Sequence, residues 1–180
     1  MKINRDNSIA VVIDVQQKLF PFIHEKEKLS DNIVKLIKGI KVLGIPILVT
    51  EQYSKGLGNA IQSVQEAIGN YSYTEKMSFS CCGSGTFTEA LKKSEKDNVI
   101  ICGIEAHVCV LQTVLDLIIG GYQPVVVENC ISSRSLNDKE IAIDRMRQEG
   151  AVITTYESIL FELLEVSGTE EFKAISKIIK

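Results

Sequence analysis

Cys109 is the residue of this sequence best placed to act as a nucleophile. It follows a continuous apolar run at Val99–Ile101, which is typical of a strand buried on both faces of a parallel sheet. Apolar residues then recur every three or four positions up to Gly120–Gly121, which predicts an amphipathic helix ending at the double glycine. Such strand-to-helix turns bind ligands in open α/β sheets, and the amide N–H groups of a first helical turn favour a thiolate. We therefore expect Cys109 to be a reactive thiol at a ligand-binding turn.

Asp14 is a candidate proton acceptor for this thiol. It ends the apolar run Ser8–Asp14, which predicts the first buried strand. A single Asp at a strand end is usually a loop cap, but these two strand ends should lie on neighbouring central strands. A carboxylate there could take the proton of the thiol. Lys76 lies between two weakly predicted elements, and its spacing alone favours a solvated surface charge.

The other four cysteines do not form a recognisable metal or redox motif. Cys81 and Cys82 are adjacent, which excludes a simple C-x-x-C pair. Cys102 lies in one predicted strand and Cys130 follows another, so both are expected to be core thiols. An odd count of five cysteines, without a secretory signal, favours reduced thiols and a cytoplasmic protein.

No cofactor or metal is predicted. The only two histidines, His24 and His107, have no metal-ligand spacing to a partner. The glycine-bearing stretches 55–61 and 83–87 lack the third glycine of a dinucleotide loop. His107 is two residues from Cys109, so it should not face the thiol on a helix, although it could line the mouth of a pocket.

Polar and aromatic residues in the predicted loops could wall a small pocket at the same sheet edge. Singly, each of them is expected to be a packing or surface residue. The pocket candidates are Phe20, Gln52, Tyr53, Phe79 and His107.

The strand and helix patterns alternate along the whole chain, which predicts one α/β domain over residues 1–180. Ser30 or Asp31 is expected to cap the first long helix, and Asp138 to cap a helix after a polar loop at 129–137. The sheet should be parallel with helices on both faces. The predicted strands are residues 8–14, 47–50, 71–77, 99–101, 124–128 and 151–154.

Charge and hydropathy exclude some classes of partner. The formal net charge of −3 argues against a nucleic-acid groove. The longest apolar runs are interrupted by Gly, Asp or Gln and are too short to cross a bilayer, so no membrane association is expected. A small-molecule substrate remains the favoured partner.

Several long segments resemble the isochorismatase-like cysteine hydrolase family, and most of all its isochorismatase domain-containing proteins. The resemblance runs from about Ala10 to the C-terminus. Its carrying segments are VVIDVQ at 11–16, VTEQYSKGLG at 49–58, EKMSFS at 75–80, CGIEAHVCVLQT at 102–113, GIEAHVCVLQTVLDL at 103–117 and SSRS at 132–135.

The resemblance implies a catalytic triad of Asp14, Lys76 and Cys109, with a thioester on the cysteine and a lowered thiol pKa. It also implies a cis peptide bond between Ile104 and Glu105, which would direct the Glu105 N–H, together with that of Cys109, at an oxyanion. The implied fold is a three-layer, Rossmann-like six-stranded sheet of order 3-2-1-4-5-6, and the implied assembly is a homo-oligomer.

Two departures narrow the expected chemistry. Nicotinamidases of this superfamily carry Asp and His metal ligands after the second strand, whereas residues 51–58 here read EQYSKGLG. True isochorismatases cleave a vinyl ether without this cysteine. The sequence therefore predicts a metal-independent cysteine hydrolase of a small amide-type C–N bond. An isochorismatase-type ether hydrolase and a weakly active binding or scaffold protein are the alternatives.

Overall fold

The computed structural model describes residues 2–180. It contains a six-stranded parallel sheet. The strands are β1 (Ser8–Ile13), β2 (Ile47–Gln52), β3 (Thr74–Lys76), β4 (Asn98–Ile104), β5 (Gln123–Ser132) and β6 (Val152–Thr154). Their order in the sheet, β3-β2-β1-β4-β5-β6, confirms the predicted α/β architecture and strand order.

Helices cover both faces of this sheet. The helices are α1 (Lys26–Val42), α2 (Ser54–Leu57), α3 (Gln62–Ile68), α4 (Gly85–Ser94), α5 (Leu111–Ile119), α6 (Leu136–Gln148), α7 (Tyr156–Leu164) and α8 (Glu170–Ile179). On one face, α1, α3, α7 and α8 contribute buried side chains to one apolar cluster; on the other, α4, α5 and α6 contribute to a second.

Strand β1 shows why its apolar run has no alternation with polar residues. Ala10 and Val12 belong to the first apolar cluster, whereas Ile9, Val11 and Ile13 belong to the second. Successive side chains point to opposite faces of a sheet, and here both faces are covered by helices. A continuous apolar run is therefore what this central position requires.

Gly103 allows β1 and β4 to approach closely beside the site. Its φ angle is +130°, which side-chain-bearing residues rarely adopt, and a Cβ there would overlap the backbone carbonyl of Ile13. The carboxyl ends of the two strands are thereby held together. The residues that follow them, Asp14 and Glu105, start from adjacent points of the sheet edge.

Tertiary packing moves three predicted boundaries. Helix α1 begins at Lys26, because buried Leu29 extends its apolar face one turn before the expected cap. Strand β5 continues to Ser132 because β4 offers it a partner as far as Ile104. Strand pairing therefore outweighs the polar residues at the start of the expected loop at 129–137. The N-cap of α6 is Ser135, whose hydroxyl accepts from the Asp138 N–H.

No helix within residues 2–180 is long and apolar enough to cross a membrane.

Candidate active site

The three residues of the expected triad lie at the carboxyl edge of the sheet. Asp14 directly follows β1 with a left-handed φ of +50°, and Lys76 is the last residue of β3. Cys109 lies in a π-helical turn, Ala106–Val110, between β4 and α5. Because β2 separates β3 from β1, the Lys76 side chain must pass the end of β2 to reach Asp14.

Asp14 and Lys76 form a fully buried ion pair. Lys76 Nζ lies 2.6 Å from Asp14 Oδ2, and both side chains are 0% exposed. The other carboxylate oxygen, Oδ1, accepts a 2.8 Å hydrogen bond from the hydroxyl of Thr50 on β2. Burial lowers the pKa of the Lys76 ammonium, but the negative charge of Asp14, the nearby Cys109 and Cys81 sulfurs and the hydrogen bond to Asp14 together leave that pKa raised. Lys76 therefore stays charged beside Asp14.

All three donors of the Lys76 ammonium are engaged. Besides Asp14, its Nζ donates to the backbone carbonyls of Ser78 at 3.1 Å and Phe79 at 2.9 Å. An ammonium group has three N–H donors. Lys76 therefore fixes the segment after β3 and has no donor left for another group.

The Cys109 thiol is protonated at rest, contrary to the expectation of a lowered pKa. Burial first, and the negative charge of Asp14 second, raise the pKa of Cys109 well above its usual range, and the opposing charge of Lys76 is too weak to reverse this. The thiol donates a 3.4 Å hydrogen bond to Gln52 Oε1. The expectation failed because a sequence shows the helical turn but not how deeply the sulfur is buried.

Cys81 lies beside the ion pair, although sequence reasoning assigned it no role. Its sulfur is 3.7 Å from the Thr50 hydroxyl, which also contacts Asp14. Its N–H donates to the Thr113 hydroxyl at 2.9 Å, and this hydroxyl donates to the Cys109 carbonyl at 2.7 Å. Burial raises the pKa of the Cys81 thiol to about 12. No spacing in the sequence indicates this proximity.

The peptide bond between Ile104 and Glu105 is cis. Within residues 2–180, the Glu105 N–H donates no hydrogen bond, whereas the Glu105 carbonyl accepts from the N–H groups of Val108 and Val110. The Glu105 carboxylate accepts from the N–H of Arg134 at 3.2 Å and from its Nε at 3.1 Å. Arg134 is a second residue near the site that sequence reasoning missed.

A cavity of about 200 Å³ opens over Cys109. Of the residues predicted for the site, Gln52, Phe79 and Glu105 line it together with the cysteine. Three apolar residues that were not predicted, Leu19, Leu57 and Val108, complete its wall.

The structure does not bring Phe20, Tyr53 and His107 to the wall of this cavity. Phe20 begins a 3₁₀ turn and packs half-buried against the first apolar cluster, whereas its neighbour Leu19 packs there and also lines the cavity. Tyr53 is 48% exposed. The His107 ring places Nδ1 2.9 Å from the Ser133 hydroxyl.

Gln16 fixes the position of Gln52. Its side-chain Oε1 accepts from the Gln52 N–H at 2.8 Å, and its Nε2 donates to the carbonyls of Gln52 and Gly58 at 3.0 and 2.6 Å. Gln16 is 0% exposed, so these bonds replace the water it has lost. The residue that contacts the thiol is therefore held at its backbone by a buried amide.

Comparison with known proteins identifies the family of this chain. Residues 8–158 match the model of the isochorismatase domain. The chain belongs to the isochorismatase family. Isochorismatase family protein 1B of Dictyostelium discoideum is 36% identical over 99% of this chain and 89% of its own length.

Two solved structures have the same fold as this chain. A chain from Caenorhabditis elegans described as MAR1 ribonuclease has a TM-score of 0.93 and 38% identity, covering 99% of this chain and 92% of its own. The YcaC gene product of Escherichia coli, described as an octameric hydrolase of unknown specificity, has a TM-score of 0.93 and 21% identity. That match covers 99% of this chain and 89% of YcaC.

Among residues 2–180, no group of three or more His, Cys, Asp or Glu side chains is arranged to hold a metal ion. The donor set at the site is the thiols of Cys109 and Cys81, two carboxylates that are each paired with a cation, and amide or hydroxyl groups.

Proposed function

We propose that this chain is a cysteine hydrolase that cleaves the C–N bond of a small amide through a thioester on Cys109. The observation that carries the proposal is a single thiol that lines a cavity and lies within the electrostatic reach of a buried carboxylate–ammonium pair. A nucleophile with an adjacent base that is itself held by a third group is the usual arrangement for covalent catalysis.

In the first step, Cys109 Sγ attacks the carbonyl carbon of the amide, and its proton passes to Asp14. The π electrons of the carbonyl move to oxygen, which becomes an oxyanion. The raised thiol pKa means that proton transfer accompanies the attack, rather than preceding it. Removing the negative charge of Asp14 in this step also removes one cause of the raised pKa.

In the second step, the oxyanion reforms the carbonyl, the C–N bond breaks and Asp14 returns its proton to the departing nitrogen. An amine or ammonia leaves, and the acyl group remains on sulfur. Water then attacks the thioester while Asp14 takes its proton. The C–S bond breaks, the thiol recovers that proton, and a carboxylic acid is released.

The oxyanion would be stabilised by the N–H groups of Glu105 and Cys109. The Glu105 N–H makes no hydrogen bond within residues 2–180, and both residues line the cavity. Preorganised N–H donors of this kind are worth about 10²–10³ in rate when one is removed.

Lys76 acts on Asp14 and not on the substrate. Its three hydrogen bonds are all made to protein groups, so its role is to keep Asp14 ionised and correctly oriented in a buried site. We further propose that the enzyme is metal-independent, cytoplasmic and homo-oligomeric. Analytical ultracentrifugation measures the assembly directly.

The test is a screen of small amides, ureas and carbamoyl compounds for ammonia release. Cys109→Ala should lower the rate by at least ~10³, since it removes the nucleophile. Cys130→Ala is the matched control, because Cys130 is a buried thiol outside the cavity wall. A mass increase of one acyl group on Cys109 during turnover would identify the thioester.

Two results would redirect the proposal. Amide turnover retained in Cys109→Ala would exclude the cysteine mechanism. Conversion of isochorismate that survives the same substitution would point to ether hydrolysis. RNA belongs in the screen as well, since the 38% identical relative is described as a ribonuclease.

A further inference from the structure

The cavity over Cys109 has an uneven charge distribution. Its lining includes one acidic residue, Glu105, and neither Lys nor Arg. The remaining lining residues supply a thiol, the amide of Gln52 and four apolar side chains. A substrate that enters therefore meets a negative group and an apolar wall.

Neither neighbouring cation lines this cavity. The Lys76 ammonium has used its three donors on Asp14 and two backbone carbonyls. Arg134 directs its N–H and Nε at Glu105, and 66% of its side chain is exposed to solvent. Water screens a charge in that position, so Arg134 only partly compensates the buried Glu105 carboxylate.

Glu105, unlike Arg134, is withdrawn from water, because only 11% of its side chain is exposed. A charge in such a place acts through a lower effective dielectric constant than bulk water, and its field extends into the cavity. A substrate carboxylate would lose its own hydration there and face a like charge. An uncharged amide meets neither penalty, and its NH₂ group can donate to Glu105 or Gln52.

The cavity also limits size. Its volume of about 200 Å³ lies below the ~300–1,000 Å³ of sites that take drug-sized ligands. The apolar part of the wall consists of Leu19, Leu57, Phe79 and Val108. Together they suit a short aliphatic or small aromatic acyl group.

We propose that this site selects small, uncharged amides with an apolar acyl group and rejects amides that carry a carboxylate, with Glu105 as the residue that selects charge. This inference rests on the proposed hydrolase function for its substrate. Its physical content, the charge selectivity of the cavity, can be measured without turnover.

The first experiment compares two alkylating agents that differ mainly in charge. Iodoacetamide is neutral and iodoacetate is anionic, and the rate at which each modifies Cys109 is followed by peptide mass spectrometry at pH 7.5 and low salt. Glutathione supplies the intrinsic rate ratio of an unshielded thiol. We expect the iodoacetamide-to-iodoacetate ratio at Cys109 to exceed that reference by tenfold or more, and the excess to shrink at high salt.

Two isosteric variants test whether Glu105 causes the difference between the two alkylation rates. Glu105→Gln keeps the size and the backbone N–H of the residue, and should bring the ratio to within about threefold of glutathione. Glu149→Gln removes the same charge at the opposite edge of the sheet, before β6, and should leave the ratio unchanged. Labelling by the neutral agent reports whether each variant keeps its cavity.

The outcomes separate the two proposals. A wild-type ratio equal to that of glutathione, or one unaffected by Glu105→Gln, would overturn the charge selection and leave the hydrolase proposal standing. If neither agent modifies Cys109 faster than it modifies Cys130, a buried thiol outside the cavity wall, both proposals fail.

A substrate pair provides the second measurement. Succinamate is compared with 4-methylpentanamide, a neutral amide of similar length that has an isopropyl group in place of the carboxylate of succinamate. We expect kcat/KM for the uncharged amide to be at least tenfold higher. Equal values, or a preference for succinamate, would contradict the inference even though amide hydrolysis itself would be established.

Discussion

Two ion pairs flank the thiol, and they differ in what surrounds them. The Asp14–Lys76 pair joins the ends of β1 and β3 at 2.6 Å, with both side chains 0% exposed. The Glu105–Arg134 pair joins the end of β4 to the loop after β5 at 3.1 Å, with side chains 11% and 66% exposed.

The difference lies in which charges are left uncompensated. In the buried pair each charge has its partner and further hydrogen bonds, so the pair is neutral and rigid. In the Glu105–Arg134 pair, called the rim pair below, the carboxylate is withdrawn from water while the guanidinium is largely solvated. The buried pair can therefore support proton transfer, whereas the second pair makes the electrostatic potential in the cavity negative.

Breaking the buried pair should have the largest effect. Lys76→Met leaves the Asp14 carboxylate buried without its counter-charge, and the expected loss is about 3–5 kcal/mol in the free energy of unfolding. Urea titration measures it. The double variant Asp14→Asn/Lys76→Met should recover much of this loss, because neither charge then remains. A loss below about 1 kcal/mol in the single variant would contradict the assignment.

High pH should also lower the free energy of unfolding, because the interior disfavours further negative charge. Burial raises the pKa of Cys81 and of Cys102 to about 12, whereas an unfolded thiol titrates near ~8.5. Above that lower value the unfolded chain binds fewer protons than the folded one, so stability falls as pH rises from about 8.5 towards 12.

Each such thiol should contribute about 1.4 kcal/mol of lost stability per pH unit in that window. Denaturant titrations at pH 8, 9 and 10 give the slope. Cys102→Ala is the control, since it should reduce the slope by one thiol's share; an unchanged slope in that variant would show that Cys102 does not carry the effect.

Breaking the rim pair should have the smallest effect on stability. Arg134→Met is expected to cost less than about 1 kcal/mol, because a mostly solvated guanidinium contributes little to folding. It should also increase the preference of Cys109 for iodoacetamide over iodoacetate, since Glu105 then loses its partial compensation. A loss above 3 kcal/mol, or a weaker preference, would mean that the two pairs do not differ as described.

The sequence predicted a large part of the fold and only some of the site. Apolar runs located five of the six strands and glycines located several helix ends, whereas β3 has the polar sequence Thr-Glu-Lys and no apolar run. Lys76 was recognised only through the family resemblance, because its partner Asp14 is 62 residues away and the contact depends on β3 pairing with β2. The pocket prediction chose Phe20 where Leu19 faces the cavity, since a 3₁₀ turn decides which of two neighbours points inward.

The sequence by itself determined the parallel α/β architecture and the residue types available at its carboxyl edge. Those properties are local, because they follow from periodicity and from where apolar runs end. Only the tertiary structure decided that the Cys109 thiol rests protonated, that the donors of Lys76 are all used, and that Glu105 rather than a cation faces the cavity. Burial and the distance between charges set these properties, and both come into existence only when distant segments pack together.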